Sequence, residues 1–128
     1  MQDYRELEVW RRGHALTLKV YAVVRAFPRD EVYGLVSQMR NSASSIPTNL
    51  AEGCGCGSSG ELHRFALIAS GSASELDYQL LLAKDLDYLE PTQYDTLYDE
   101  LRSLRRMLSS FINTLLSKLK NQVHPAAE

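Results

Sequence analysis

Two cysteines are all the chain has, which excludes a disulfide-stapled scaffold and a complete four-cysteine zinc site. Neither sign of charge dominates. Lys and Arg number 14 and Asp and Glu 16, a formal charge of −2, so a uniformly basic, histone-like surface is excluded. No apolar run approaches the roughly 20 residues needed to span a membrane. The first residues, MQDYRELEVWRRGH, are too polar for a signal peptide, and a cytoplasmic location is expected. Strand signals are missing as well: Val and Ile are scattered, and no Asn-Gly or Asp-Gly hairpin turn occurs. What remains is 128 residues, 45% apolar and 23% charged, the proportions of one soluble globular domain.

The apolar residues that are present recur at helical spacing. Leu7, Trp10, His14, Leu18 and Tyr21 define a first helix over about residues 5–26, ended by Phe27-Pro28. Asp30 is the expected N-cap of a second helix over about 31–53, with Val32, Leu35, Met39, Ala43, Ile46 and Leu50 as its buried stripe. Pro47 inside it leaves the Ala43 carbonyl without its helical donor, and Ser44, Ser45 and Thr48 are suited to repair the gap. The glycines of GCGCGSSG make a poor helix interior and are read as a mobile connection from Gly53 onward. Ser58 or Ser59 can then cap a third helix over about 60–88, buried along Leu62, Phe65, Ala69, Ala73, Leu76, Leu80 and Ala83. Pro91 suits the first turn of a fourth helix over about 91–120. Its Leu97, Leu101, Leu104, Leu108, Phe111 and Leu115 form the cleanest heptad in the chain. The tail containing His124-Pro125 is expected to fray. The fold class is therefore all-α, an up-down-up-down four-helix bundle in a single domain, residues 1–128.

One bundle does not need this much apolar surface. A second stripe on the first helix, Val9, Leu16, Val20, Val23 and Phe27, reads as an oligomer interface, with a wide core stripe as the alternative. Leu67, Tyr78, Leu81 and Leu82 add apolar surface to the third helix, and Tyr98, Ile112, Leu116 and Leu119 to the fourth. Small residues from Ala66 to Ser74, Gly71 among them, suit close approach to Ser42, Ala43, Ser44 and Ser45 of the second helix.

Chemistry-bearing residues are few. Cys54, Cys56 and His63 could supply three zinc ligands, but a structural site needs four, so no metal is assigned. The glycine-rich loop lacks the Lys-Ser/Thr pair and preceding strand of a phosphate-binding loop. Asn49 with Glu52, and Ser72 with Glu75, each lie one helical turn apart and form a polar cluster. Two carboxylates there could do acid–base work or hold a metal. A hydrogen-bonded structural network is the better reading. His14, His63 and His124 are widely separated, no catalytic constellation is readable, and no cofactor is implied.

Charge is unevenly placed. Arg102, Arg105, Arg106, Lys118 and Lys120 occur without an acid between Arg102 and Val123, whereas the stretch from Glu75 to Glu100 is strongly acidic. Such runs are usually solvated faces, but repetition around an oligomer would multiply a modest basic stripe into a phosphate-binding surface.

Several blocks together resemble one family: Leu7-Glu-Val-Trp10, Glu31-Val-Tyr33-Gly34-Leu35, Gln38-Met-Arg40, Ser45-Ile46-Pro47-Thr-Asn49-Leu-Ala-Glu52-Gly53 and Ala69-Ser-Gly71-Ser72-Ala-Ser-Glu75-Leu76. The family is the 23S rRNA-intervening sequence proteins, bacterial four-helix bundles similar in fold to the accessory variability proteins of retroelements. The resemblance implies a closed homopentamer with a central channel and a non-enzymatic role toward nucleic acid or a partner protein. Where the family commonly has basic residues, this chain has Asn41-Ser42 after Arg40 and Gly-Cys-Gly-Cys-Gly-Ser-Ser before the third helix; both departures remove positive charge. The expectation is a homo-oligomer contacting RNA, DNA or a nucleic-acid-associated protein, with Arg11, Arg12, Arg40, Arg102, Arg105 and Arg106 touching phosphate. The alternative is a protein-interaction scaffold that binds no nucleic acid.

Overall fold

A computed structural model describes residues 2–123. Four helices account for most of them: α1 (Glu8–Val24), α2 (Leu35–Gly55), α3 (Ser59–Asp85) and α4 (Pro91–Val123). Short 3-10 turns at Tyr4–Glu6 and Arg29–Glu31 precede α1 and α2. Each helix packs on its chain neighbours, and α4 closes the bundle against α1. The core is one continuous cluster drawn from all four helices. The tail around His124-Pro125 lies outside the described residues.

Chain ends of the helices obey local chemistry. The Ser58 hydroxyl accepts the Glu61 N–H at 3.2 Å and caps α3, as expected. Pro91 opens α4. The α3 exit is a Schellman turn: Asp87 takes φ 63°, its N–H bonds the Lys84 carbonyl, and the Tyr88 N–H reaches back to the Ala83 carbonyl. At the start of α2 the expectation fails. Asp30 sits in the 3-10 turn, and Gly34 holds the N-cap position without a side chain to offer. Glu31 does the capping instead. One of its carboxylate oxygens accepts the Leu35 N–H at 3.1 Å, and the other accepts the Tyr88 hydroxyl at 2.9 Å, which holds the phenol above its ordinary pKa. A Cβ at Gly34 would sit 2.8 Å from that carboxylate, so glycine keeps the cap in place.

The buried stripes of α2, α3 and α4 agree with the periodicity, except that Val32 falls before α2 and is exposed and that Phe65 and Phe111 are only half-buried. On α1 the buried face is centred on the second stripe, as the wide-core alternative has it. Val9, Leu16, Val20 and Phe27, expected at an oligomer interface, are core residues of the single chain, and Val23 is half-buried against them. They are therefore unavailable to a second copy. Of the first stripe, Leu7 and Trp10 are half-buried against the core, and His14, Leu18 and Tyr21 are exposed.

The reason lies at Pro47. Without an N–H it leaves the Ala43 carbonyl unbonded in the middle of α2. The repair comes from α1, not from the neighbouring serines: the buried Thr17 hydroxyl lies 3.0 Å from that carbonyl and 2.8 Å from its own Gly13 carbonyl. Gly13 makes the approach possible, since a Cβ there would already lie 3.3 Å from Ile46 and 3.6 Å from Pro47. A small residue and a hydroxyl thus occupy the buried face of α1, and they disguise it as the polar one. Thr17→Val should cost about 1–3 kcal/mol, because the isosteric side chain leaves a buried carbonyl unsatisfied. Denaturant unfolding at fixed protein concentration measures this; an unchanged midpoint would contradict the assignment.

The glycine-rich segment also departs from expectation. Gly53 and Gly55 belong to α2, and the connection is only Cys56–Ser58. Gly53 is buried where α2 and α3 converge, so packing offsets the helical cost of a glycine there.

Candidate functional site

The polar cluster divides between two grooves. On the α2–α3 side, the Asn49 side-chain amide donates to the Ser45 carbonyl and hydroxyl, both at 2.8 Å. The Ser72 hydroxyl meets Ser45 Oγ at 2.8 Å from the opposite helix. Ser42, Ser45 and Ser72 floor a groove of about 570 Å³, with Gln38 and Asn41 on one rim and Glu75 and Gln79 on the other. Asn49, Ser72 and Glu75 are thereby brought to one region. Glu52 is not; it lines a groove of about 540 Å³ between α1 and α2, together with Tyr4, Trp10, His14 and Pro47. Tyr4 meets Trp10 edge-on at 4.7 Å, and Trp10 stacks on His14 at 5.1 Å. The two carboxylates thus open into separate grooves, and no shared acid–base pair results.

Gln79 was not singled out by sequence reasoning, since a glutamine in a helix carries no motif. It is only 7% exposed, and its Oε1 has no hydrogen-bond partner. The only available signal was its register: it falls one turn after Glu75 on the α2-facing side of α3.

The cysteine–histidine set does not assemble. Cys54 is buried, Cys56 is exposed, and among the described residues no three His, Cys, Asp or Glu side chains are grouped to hold a metal. Burial, reinforced by the charge of Asp3, pushes the Cys54 thiol above its ordinary pKa. Iodoacetamide at neutral pH should therefore alkylate Cys56 in the folded protein and spare Cys54, because the thiolate is the nucleophile. Peptide mass mapping reads this directly, and equal labelling of both would contradict the burial of Cys54.

The six arginines come from three helices, α1, α2 and α4, and two of them are ion-paired within the chain. Arg11 binds Glu8 at 3.0 Å and Glu6 at 3.6 Å, and its Nε donates to the Arg5 carbonyl. Arg40 lies over the Tyr21 ring at 5.3 Å. Tyr21 is ten residues along α1 from Arg11, about 15 Å along the helix axis. Arg102 covers Tyr98 at 5.7 Å, and Arg105 pairs with Asp77 at 2.7 Å and Ser74 at 3.0 Å. Lys19 pairs with Glu100. Acids from the acidic segment thus neutralise bases from α1 and α4. These ion pairs lie near the surface and add at most about 1 kcal/mol each. Arg12 and Arg106 are exposed and carry no ion pair among the described residues.

The outer face of α3 has a different character. Leu67, Ile68, Tyr78 and Leu81 are exposed, Leu67 by 50% and Tyr78 by 62%. Between them, a Cβ added at Gly71 would meet no heavy atom within 4 Å. The small residues of α3 thus divide: Ala66, Ala69, Ser72 and Ala73 are buried, while Gly71 and Ser74 face outward.

This bundle, with its Pro47-centred second helix, matches the family model for the 23S rRNA-intervening sequence protein over residues 5–110. The chain belongs to that family. A solved structure similar to it is a protein of unknown function from the S23 ribosomal protein family of Bacteroides thetaiotaomicron, at 20% identity and TM-score 0.76. The similarity covers 82% of this chain and 95% of that one, and it concerns the fold. No functionally curated protein matches the sequence. No described helix of this family member is long and apolar enough to cross a membrane.

Proposed function

We propose that the chain is a non-catalytic interaction module that assembles with copies of itself through the outer face of α3 and works as a scaffold for partner proteins. The observation that carries this reading is the stripe Leu67, Gly71, Tyr78 and Leu81, apolar or bare and exposed along one side of a 27-residue helix. Glycine costs a helix interior about 1 kcal/mol relative to alanine, and at Gly71 no contact within the chain offsets that cost. Close approach of a neighbouring copy would offset it. Five copies is the number that the family resemblance implies.

Phosphate binding by a ring of copies is the second reading, and the unpaired Arg12 and Arg106 favour it. Intrachain pairing of Arg11 and Arg105 favours the scaffold.

Tyr78→Glu tests the assembly, and a gel shift separates the two readings. Placing a charge in the stripe should leave the far-ultraviolet dichroism intact and reduce the assembly to monomers in sedimentation velocity. Wild-type protein should show no gel shift with RNA or DNA at low salt. A shift that collapses by about 200 mM salt, and that Arg12→Ala with Arg106→Ala removes, would replace the scaffold by the phosphate-binding reading. An assembly unaffected by Tyr78→Glu would remove the α3 face from it.

A further inference from the structure

The fold leaves two exposed stripes uncovered. Besides the α3 face, α1 presents Ala15, Leu18 and Ala22 at steps of three and four, with Tyr21 beside them. All four are exposed, Leu18 by 59%. The charged residues within this span, Arg12 and Lys19, lie seven apart on the side toward α4, where Lys19 pairs with Glu100. Helices α1 and α3 are not neighbours; they stand at opposite corners of the bundle. Along one side of α2, Gly13 faces Pro47 and Thr17 faces Ala43. Along the other, Gly53 faces Leu62 and Ser45 meets Ser72. Both outer helices are thus antiparallel to α2, and α1 and α3 run in the same direction. With a rise of about 1.5 Å per residue, the same contacts put Thr17 level with about Ser74. On that count Leu18 stands within one turn of Tyr78, and Arg25 within one turn of Asp85.

Charge divides between the two stripes. The α1 stripe ends at Arg25, and the α3 stripe is flanked by Glu75 and Asp85. All three side chains are exposed, and none forms an ion pair among the described residues. We infer that copies join head to tail, the α1 stripe of one covering the α3 stripe of the next with the two helices parallel. Copies turned about an axis along the bundle keep the same height. Leu18 then enters the gap that Gly71 and Ser74 leave beside Tyr78, a knob in a hole floored by small residues. Arg25 meets Asp85 at the end of the same contact. This inference rests on the α3 reading given above and adds the surface that covers it. An α3-on-α3 contact is isologous: it closes at two copies, sets acids against acids and leaves Leu18 and Arg25 unmatched. Two different faces on opposite corners make a heterologous contact, which repeats from copy to copy and closes as a ring.

The test mixes two variants, each spoiled on one face. Tyr78→Glu keeps the α1 stripe, and Leu18→Glu keeps the α3 stripe. Each alone should sediment as single chains with the far-ultraviolet dichroism of the wild type. Mixed in equal amounts at high micromolar concentration, they should form a complex of two chains and nothing larger, because each pair holds one sound α1–α3 contact. Arg25→Asp should weaken assembly at least tenfold, and adding Asp85→Arg to it should restore assembly. In Tyr78→Glu single chains, Leu18→Ala should leave the unfolding midpoint in place, since Leu18 serves the contact between copies and not the core. Leu18→Glu protein that assembles as the wild type does would overturn the head-to-tail contact and leave the α3 face standing as an interface. A mixture that stays at the protomer mass while the wild type assembles overturns it too, as does a double charge variant no tighter than Arg25→Asp. A wild-type chain that stays single removes the α3 reading itself, and this inference with it.

Discussion

Leu16→Ala is expected to destabilise the bundle by about 2–5 kcal/mol, and Leu18→Ala, two residues away, to change its stability by no more than about 0.5 kcal/mol. Leu16 is 2% exposed and Leu18 is 59% exposed. Removing the Leu16 branch forfeits its transfer free energy and leaves a cavity among side chains that relax only in part. Since small domains hold only about 5–15 kcal/mol in total, the loss is a large fraction of the stability. Urea unfolding should show a lower midpoint with an unchanged slope. The comparison must be made at one protomer concentration, because any assembly adds stability by mass action. A costly Leu18→Ala beside a harmless Leu16→Ala would place the other face of α1 in the core.

Gly53→Val is expected to cost about 1–3 kcal/mol or more, through overpacking that no side chain can relieve. The added Cβ alone would lie 2.9 Å from Leu62 Cδ1, 3.0 Å from Phe65 Cβ and 3.1 Å from the Leu62 backbone Cα. The leucine terminus can swing aside; the Phe65 Cβ and the Leu62 backbone cannot, so α3 must move away from α2. Gly55→Ala is the control. A Cβ there meets nothing within 4 Å, and the helix should gain a few tenths of a kcal/mol. Thermal melts of the two variants should move in opposite directions, and a tolerated Gly53→Val would contradict the close α2–α3 approach.

How much of this was legible in the sequence follows from what each residue type can signal. The heptad leucines of α4 and the alanine–leucine stripe of α3 are apolar and periodic, and they lie buried as read. Ser58 and Pro91 announce helix starts through properties of their own side chains. On α1 two stripes share the helical period; the second is buried, and the bulkier aromatic one is buried only in part, at Leu7 and Trp10. Only the unbonded Ala43 carbonyl, answered from α1 by Thr17, explains why a glycine and a threonine face inward. That is a tertiary cause, and it leaves no periodic trace. Gly53 reads as a helix breaker until the position of Leu62 is known. Of the candidate site, Asn49, Ser72 and Glu75 were found by their spacing, but Glu52 opens into the other groove. Gln79 stayed hidden because an orphaned acceptor is defined by its surroundings alone.

The central claim, that one bundle is not the whole functional unit and that the outer face of α3 is where copies meet, is tested most directly by sedimentation equilibrium of the wild-type chain from low to high micromolar concentration. The account predicts a closed assembly several times the 14.4 kDa protomer mass, which Tyr78→Glu reduces to single chains. A wild-type protein that stays at the protomer mass across that range would contradict it.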